Sequence, residues 1–181
     1  MIQRVVLVAP RGFCAGVARA VALVEWALAT LPHPVYVRRA IVHNRSVLAR
    51  LRDAGACFVD DLGEVPAGAA VIFSAHGVAP SVRDQAARRN LRVIDATCPL
   101  VGKVHREVRR FADEGMDVIL VGHAGHDEVI GTMGQAAGVQ LVESVTDADR
   151  VRVANPDRVA CVTQTTLSQA DVAPILKRLR R

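Results

Sequence analysis

Eight short apolar runs alternate with helix-patterned segments along this chain, and the alternation limits the folds open to it. The runs are rich in Val, Ile, Leu and Ala, which is typical of strands buried on both faces of a parallel sheet. The predicted strands are Val5–Ala9, Val35–Val37, Cys57–Val59, Val71–Phe73, Val93–Ile94, Val118–Val121, Val139–Val142 and Val159–Val162. Strands that alternate with helices predict the α/β class with parallel sheets.

Neither a charge run nor a low-complexity linker divides the 181 residues. The two halves carry similar numbers of predicted strands, so we place a boundary near Thr97. We expect two pseudo-repeated lobes, residues 1–96 and 97–181, each a small parallel sheet flanked by helices. In this arrangement the two lobes face a shared cleft.

The turn at residues 10–17 links the first predicted strand to the first predicted helix. It carries Cys14 between Gly12 and Gly16, and the two glycines permit tight backbone geometry and close approach of a ligand. Open α/β sheets place their binding sites outside the carboxyl ends of the strands, where such turns lie. We therefore interpret Cys14 as a functional residue.

Polar side chains suited to chemistry follow other predicted strands in the same way. They are His76, Cys98, the group His123, His126 and Glu128, and Gln164 with Thr165, while His43 follows the apolar pair Ile41–Val42. Because these turns gather at one edge of a parallel sheet, we expect a cleft lined by thiols, imidazoles, a carboxylate and hydroxyls. Imidazoles and helix-start amides suit a phosphate, and thiolates suit a soft metal centre. Glu128 stands near His126 and is a candidate proton donor.

Other cysteines and histidines have plainer interpretations. Cys57 and Cys161 lie inside apolar runs, where free cysteine is commonly a core residue, so we expect both to be buried. His105 stands beside Arg106 on a predicted helix and is expected at the surface. Cys98, in contrast, lies next to Pro99 on a polar turn, which favours a functional thiol.

The formal net charge of +5 suits an anionic ligand, an acidic protein or nucleic acid without choosing among them. No stretch interleaves aromatic and basic residues as a base-stacking surface does, so we predict no nucleic-acid partner. No apolar run approaches a membrane span or a signal-peptide core, so we expect a cytoplasmic protein without a membrane partner. Dinucleotide, phosphate-loop and Cys-x-x-Cys motifs are also missing from the sequence.

Seven strings resemble the LytB family, the 4-hydroxy-3-methylbut-2-enyl diphosphate reductases, and they span nearly the whole chain in order. The strings are PRGFCAGV (10–17), VHN (42–44), FSAHGV (73–78), DATCPLV (95–101), GHAGH (122–126), GTMG (131–134) and TQTTLS (163–168). The resemblance implies α/β lobes around a central [4Fe–4S] cluster, with Cys14 and Cys98 as two of its three cysteine ligands. It also implies that His43, His76 and His126 bind the substrate diphosphate.

The resemblance further implies that Glu128 supplies protons near the substrate hydroxyl. Thr165, with Gln164 beside it, would help to position that hydroxyl. The implied reaction removes the hydroxyl reductively and gives isopentenyl and dimethylallyl diphosphates in the methylerythritol phosphate route to isoprenoids. Ferredoxin or flavodoxin would be the electron donor.

The sequence departs from the family pattern at one point. The family's third cluster cysteine lies in a third lobe beyond the 163–168 string, whereas this chain stops at Arg181. We therefore expect a truncated form that lacks the third lobe and full activity. Two alternatives stay open: a diphosphate-binding module without redox chemistry, and a zinc protein that uses Cys14, Cys98 and two histidines.

Overall fold

The computed structural model describes residues 3–180, which form seven α-helices and seven β-strands. The helices are α1 (Ala15–Thr30), α2 (Arg45–Asp53), α3 (Pro80–Arg88), α4 (Pro99–Asp113), α5 (Asp127–Met133), α6 (Val145–Ala148) and α7 (Gln169–Leu179). The strands are β1 (Val35–Arg38), β2 (Ala56–Val59), β3 (Ala70–Phe73), β4 (Arg92–Asp95), β5 (Asp117–Val121), β6 (Gln140–Val142) and β7 (Val159–Thr163). None of these helices is long and apolar enough to cross a membrane.

The first four strands form a parallel sheet in the order β2-β1-β3-β4. All four residues of β3 are buried, as expected for an apolar strand inside a sheet that is covered on both faces. One core cluster joins Val37 of β1 to Val24 and Leu51 of the neighbouring helices, and a second contains Val71 and Phe73 of β3. We refer to residues 15–95 as the four-stranded unit.

The other three strands form a second parallel sheet in the order β6-β5-β7. The apolar side chains of β5 point alternately to two core clusters, one with Val108 of α4 and the other with Ile175 of α7. We refer to residues 99–179 as the three-stranded unit. The predicted α/β class with two small parallel sheets flanked by helices is confirmed, whereas the lobe boundary near Thr97 stays a prediction.

The two units meet where small residues let their backbones approach. A Cβ added at Gly134 would lie 2.4 Å from the Cβ of Ala79, and one added at Gly131 would lie 3.1 Å from the carbonyl oxygen of Gly77. Gln135 donates its side-chain amide across this contact to the carbonyl of Val78 at 3.0 Å. The contact therefore fixes α5 against the turn that follows β3.

The predicted strand Val5–Ala9 is wrong. Residues 3–8 have no regular secondary structure, and the side chains of Val5, Val6, Leu7 and Val8 are 65–75% exposed. A strand needs a neighbour to pair its backbone groups, and within residues 3–180 no strand pairs with this run. An apolar run specifies a strand only where a partner strand is available.

The expected burial of Cys57 and Cys161 is also wrong, since both residues are exposed. Cys57 lies in β2 and Cys161 in β7, and each of these is an edge strand with one neighbour. Both apolar runs are strands, but an edge strand has a neighbouring strand on one side only, and Cys57 and Cys161 stay uncovered there.

His105 is buried rather than at the surface, with 5% of the residue exposed. It lies on the face of α4 that also carries the buried residues Val101 and Val108, which precede and follow it at helical spacing. Gly77 makes room for the ring, because a Cβ added there would lie 2.7 Å from the His105 Cε1 atom. The helical spacing of apolar residues thus indicates the burial of His105 better than its charged neighbour Arg106 does.

Candidate functional site

Three histidines from the two units lie in mutual contact. The ring centroids of His43 and His76 are 4.3 Å apart and the rings are stacked. The centroid of His126, from the three-stranded unit, lies 4.8 Å from that of His43 and 5.4 Å from that of His76. We refer to these residues as the three-histidine cluster, and they were singled out together from the sequence.

Each histidine of the cluster is placed by the start of a helix or by a turn after a strand. His43 directly precedes Asn44, whose side chain caps α2 by accepting the backbone N–H of Val47 at 3.0 Å. His76 follows β3 and precedes Gly77, whose φ of +74° suits a residue without a Cβ. His126 is itself the N-cap of α5.

The cap fixes the protonation pattern of the His126 ring. The ring Nδ1 accepts the backbone N–H of Glu128 at 3.1 Å. A neutral imidazole has one donor and one acceptor nitrogen, so its proton is then on Nε2. His126 is therefore arranged to donate a hydrogen bond from Nε2.

The surroundings of His76 and His126 favour the neutral form of these two rings. Burial, together with the neighbouring His43, lowers the pKa of His76 to about 4. Burial and His43 also lower the pKa of His126. At neutral pH these two rings consequently offer N–H donors without carrying a charge, and an anion bound among them would favour their protonation.

Glu128 and Thr165 form a second part of the site. The Glu128 Oε1 atom accepts the backbone N–H of Thr165 at 2.6 Å, and its Oε2 accepts the Thr165 hydroxyl at 2.9 Å. Only 2% of Glu128 is exposed, and burial raises the pKa of its carboxyl group despite the two bonds from Thr165. A carboxyl group whose pKa is raised by burial holds its proton more readily and is suited to act as a general acid.

Gln164 supports the turn after β7. Its side chain is buried, and its Oε1 accepts the backbone N–H of His123 at 3.0 Å. Its Nε2 donates to the Thr166 hydroxyl at 2.9 Å. These bonds occupy both ends of the amide, and a direct contact of Gln164 with substrate stays a prediction.

Cys14 and Cys98 lie together at the starts of two helices. Cys14 is the N-cap of α1 and Cys98 the N-cap of α4, where the positive end of the helix dipole suits an anionic thiolate. A Cβ added at Gly16 would lie 2.7 Å from the Cys98 sulfur and 3.9 Å from the Cys14 sulfur. The two thiols thus converge on Gly16, where a side chain would crowd the Cys98 sulfur.

This pair fits two ligands of an iron–sulfur cluster, which binds three or four cysteine thiolates. Cys161 lies in the middle of β7, before the turn that carries Thr165, and is paired in register with Ile119 of β5. Cys57 lies in the edge strand β2. The helix starts that carry Cys14 and Cys98 therefore provide two thiols and not three.

The cysteines and the histidines do not form one metal site. Within residues 3–180, the group of three or more potential ligands close enough to share an ion is His43, His76 and His126, without either cysteine. The zinc alternative with Cys14, Cys98 and two histidines is therefore not favoured by the geometry.

An ion pair between the units was missed from the sequence. Arg39, a non-glycine residue with φ +57°, pairs with Asp127 of α5, next to His126. Such a backbone conformation is held by its surroundings, and Asp127 is part of them. The two residues are 88 positions apart, so no local pattern links them.

The comparisons with known proteins agree with this geometry. Residues 5–181 match the family described as LytB protein. The chain is 57% identical over 180 residues to a 4-hydroxy-3-methylbut-2-enyl diphosphate reductase of Mycolicibacterium paratuberculosis, covering 99% of this chain and 54% of that protein. It is 56% identical over 177 residues to a reductase of the same name from Burkholderia pseudomallei, again covering 54% of the relative.

A solved structure is also similar. The E-1-hydroxy-2-methyl-but-2-enyl-4-diphosphate reductase of Plasmodium falciparum superposes with a TM-score of 0.91 at 45% identity, over 95% of this chain and 54% of that one. The chain thus spans about half the length of the curated relatives it matches. A family match that extends over residues 5–181 means that the chain belongs to the LytB family.

Proposed function

We propose that this chain supplies the diphosphate-binding and proton-donating residues of a 4-hydroxy-3-methylbut-2-enyl diphosphate reductase. The proposal is supported by the names of its relatives and by the contact of three histidines from two units. The overall reaction adds two electrons and two protons to the substrate, breaks its C–O bond and releases the hydroxyl as water. Its products are isopentenyl and dimethylallyl diphosphates, on the methylerythritol phosphate route to isoprenoids.

One observation carries the assignment of the diphosphate to the three-histidine cluster. The Nδ1 atom of His126 accepts the Glu128 N–H, so Nε2 holds the ring proton and donates. Phosphate oxygens accept such a bond, whereas a metal ion needs an unprotonated nitrogen. If Nε2 bound a metal, the ring proton would move to Nδ1 and face the Glu128 N–H. The cap therefore favours an anion over a metal ion.

Glu128 is the proposed proton donor to the departing hydroxyl. Its burial favours the protonated form, and the hydroxyl and N–H of Thr165 hold both of its oxygens in fixed positions. Thr165 is itself exposed, so its hydroxyl is available to contact a substrate hydroxyl. A proton held by Glu128 can then pass through the Thr165 hydroxyl to the departing substrate hydroxyl.

Cys14 and Cys98 are the proposed ligands of a [4Fe–4S] cluster together with a third thiolate. When bound, such a cluster supplies the electrons of the reduction. Ferredoxin or flavodoxin is the proposed electron donor, in agreement with the net charge of +5.

Isothermal titration calorimetry with 4-hydroxy-3-methylbut-2-enyl diphosphate tests the proposed diphosphate site. We expect His43→Ala and His126→Ala to weaken binding by about tenfold or more, because hydrogen bonds to a charged group contribute about 1.5–3 kcal/mol. His33→Ala is the matched control, because His33 lies before β1 and its ring contacts the carbonyl of Leu28. Equal affinities in all four proteins, or stoichiometric zinc binding that excludes the diphosphate, contradict the assignment.

Glu128→Gln separates a reductase from a binding module without redox chemistry. The variant keeps the shape of the side chain and should keep the affinity for the diphosphate. In a full-length family member that carries the cluster, the same substitution at the matching glutamate should lower turnover by about two orders of magnitude, as for loss of a general acid. Near-normal turnover in this variant removes Glu128 from the proposal.

A further inference from the structure

A cavity of about 680 Å³ lies beside α4, and no member of the three-histidine cluster lines it. Its volume is in the range of small-molecule sites, roughly 300–1,000 Å³. Its walls come from α1, α3, α4 and the segment before α4. We refer to it as the arginine pocket, defined by Arg19, Arg83, Cys98, His105, Arg106 and Arg109.

The arginine pocket carries an excess of positive charge. Four guanidinium groups line it, against the single carboxylate of Asp95. Arg83 pairs with that carboxylate at 2.6 Å, which leaves three guanidinium charges without a carboxylate partner in the cavity wall. Guanidinium groups bind phosphate and carboxylate oxygens in pairs of parallel hydrogen bonds, so the wall is suited to an oxyanion.

Three of the arginines are already held in place. Arg19 donates to the carbonyls of Thr97 and Asp95 at 3.1 and 3.3 Å, and Arg83 is held by Asp95. Arg109 donates to Gln135, whose amide also bonds the carbonyl of Val78. Because these side chains are ordered before a ligand arrives, binding loses less side-chain entropy.

Arg106 is the exception. It makes no hydrogen bond or ion pair with any other residue in the 3–180 range, and it is exposed. Its Nη1 atom lies over Gly102, 3.5 Å from where a Cβ would be. All the donors of its guanidinium group are therefore available to a ligand.

His105 closes the inner wall of the pocket. It is 95% buried, and its Nε2 atom has no hydrogen-bond partner among the described residues. Burial and the charges of Arg109 and Arg83 lower the pKa of His105 to about 4. An unpartnered buried ring nitrogen is costly in a folded protein, and a ligand or ordered water that bonds it offsets the cost.

We propose that the arginine pocket binds a small phosphate-bearing molecule, at a site separate from the three-histidine cluster. The guanidinium groups of Arg106 and Arg109 hold the phosphate oxygens, and His105 forms the inner wall behind them. Thr97, Cys98 and Pro99 also line the pocket, so it adjoins the start of α4 while the phosphate is held by the arginines further along that helix. The inference does not rest on the proposed reductase function.

NMR of the 181-residue chain tests the site, with inorganic phosphate as the probe and chloride used to hold ionic strength constant. The six histidines give six ring signals, and that of His105 is identified by its loss in His105→Gln. We expect phosphate to shift the His105 signal and to raise the pKa read from it, since a nearby anion favours the charged ring. The same shift should persist in a His43→Ala/His126→Ala variant.

Two charge-removing variants on α4 complete the test. Arg106→Gln should weaken the phosphate-dependent shift of His105 by about tenfold or more. Lys103→Gln removes the same charge from an exposed position on the same helix outside the pocket, and should leave the affinity unchanged. The proposal is overturned if phosphate leaves the His105 signal unmoved or if both variants weaken binding equally.

Discussion

A single backbone hydrogen bond, from the Glu128 N–H to His126 Nδ1, gives the histidine its donating nitrogen and orients the first turn of α5. The bond places two functions on one segment, since His126 faces the other imidazoles and Glu128 faces Thr165. The sequence shows these residues two positions apart, but not which nitrogen carries the proton. That detail depends on the capping geometry.

The pKa of Glu128 should respond to the Thr165 hydroxyl in a defined direction. Hydrogen bonds from Thr165 to the carboxylate lower this pKa and oppose the burial that raises it. Thr165→Val removes the hydroxyl donor and keeps the N–H donor, so we expect the carboxyl pKa to rise further. Carbon-13 NMR titration of the Glu128 carboxyl group measures it, with Thr166→Val as the control. A pKa that falls in Thr165→Val contradicts the geometry.

His105 should make the stability of the protein depend on pH. Its folded-state pKa of about 4 lies below the usual 6.5, so the unfolded chain binds more protons between these values. Stability therefore falls as pH drops through this window, by about 3 kcal/mol for this group alone. The raised pKa of Glu128 acts in the opposite direction.

Urea unfolding at a series of pH values from neutral to acidic measures the His105 contribution. His105→Gln should flatten the pH dependence relative to the unaltered protein, whatever its effect on stability at neutral pH. Glu128 is present in both proteins, so its contribution cancels in the comparison. If the free energy of unfolding depends on pH equally in both proteins, folding does not lower the pKa of His105.

Helix α5 joins the two units, and Gly134 at its end is a sensitive point. Its φ of −70° is ordinary, so only space restricts a side chain there. A Cβ at this position would lie 2.4 Å from the Cβ of Ala79. We expect Gly134→Ala to cost about 1–3 kcal/mol of stability and to weaken diphosphate binding, because the overlap displaces His126 from His43.

The second-site variant Ala79→Gly provides the control for this prediction. In the Gly134→Ala/Ala79→Gly protein the added methyl group replaces the removed one, so stability and binding should largely return. Thermal unfolding and calorimetry measure the two effects. No rescue by Ala79→Gly means that the cost of Gly134→Ala arises elsewhere.

The central elements were predictable from local pattern. Runs such as Val71–Phe73 and Val118–Val121 are strands, as short continuous apolar runs suit a sheet that is covered on both faces. Helix α5 was missed because its seven residues include Gly131 and carry too few apolar positions for a periodic signal. The run Val5–Ala9 carries the same apolar pattern as the true strands, but pairing depends on a neighbour that sequence pattern does not reveal.

For the molecule as a whole, the turns that follow the strands predicted which residues lie near one another. They did not predict that the histidines and the cysteines form two separate clusters. His43, His76 and His126 meet as expected, while Cys14 and Cys98 meet at Gly16. Arg39 and Asp127 hold the units together beside the histidines, a pairing that only the assembled fold displays. The arginine pocket likewise combines side chains from α1, α3 and α4 that share no sequence motif.

The number and placement of the cysteines determine whether the 181-residue chain can bind an iron–sulfur cluster. Of its four cysteines, Cys14 and Cys98 converge, while Cys57 and Cys161 lie in edge strands. A stable cubane cluster needs three or four thiolates. Both units have apolar cores of their own, so folding does not depend on the cluster.

We therefore expect the isolated chain to fold and bind the diphosphate without retaining a stoichiometric [4Fe–4S] cluster. Anaerobic reconstitution with iron and sulfide, followed by iron and sulfide analysis and a visible spectrum, measures cluster content. Cys14→Ser and Cys161→Ser are the matched variants, and neither should change the low iron content of the isolated chain. Uptake of about four irons per chain that is lost in Cys14→Ser contradicts the expectation and requires a further ligand. If Cys161→Ser also abolishes that uptake, the strand register around β7 must change to bring Cys161 to the helix starts, and the pairing of Cys161 with Ile119 is wrong.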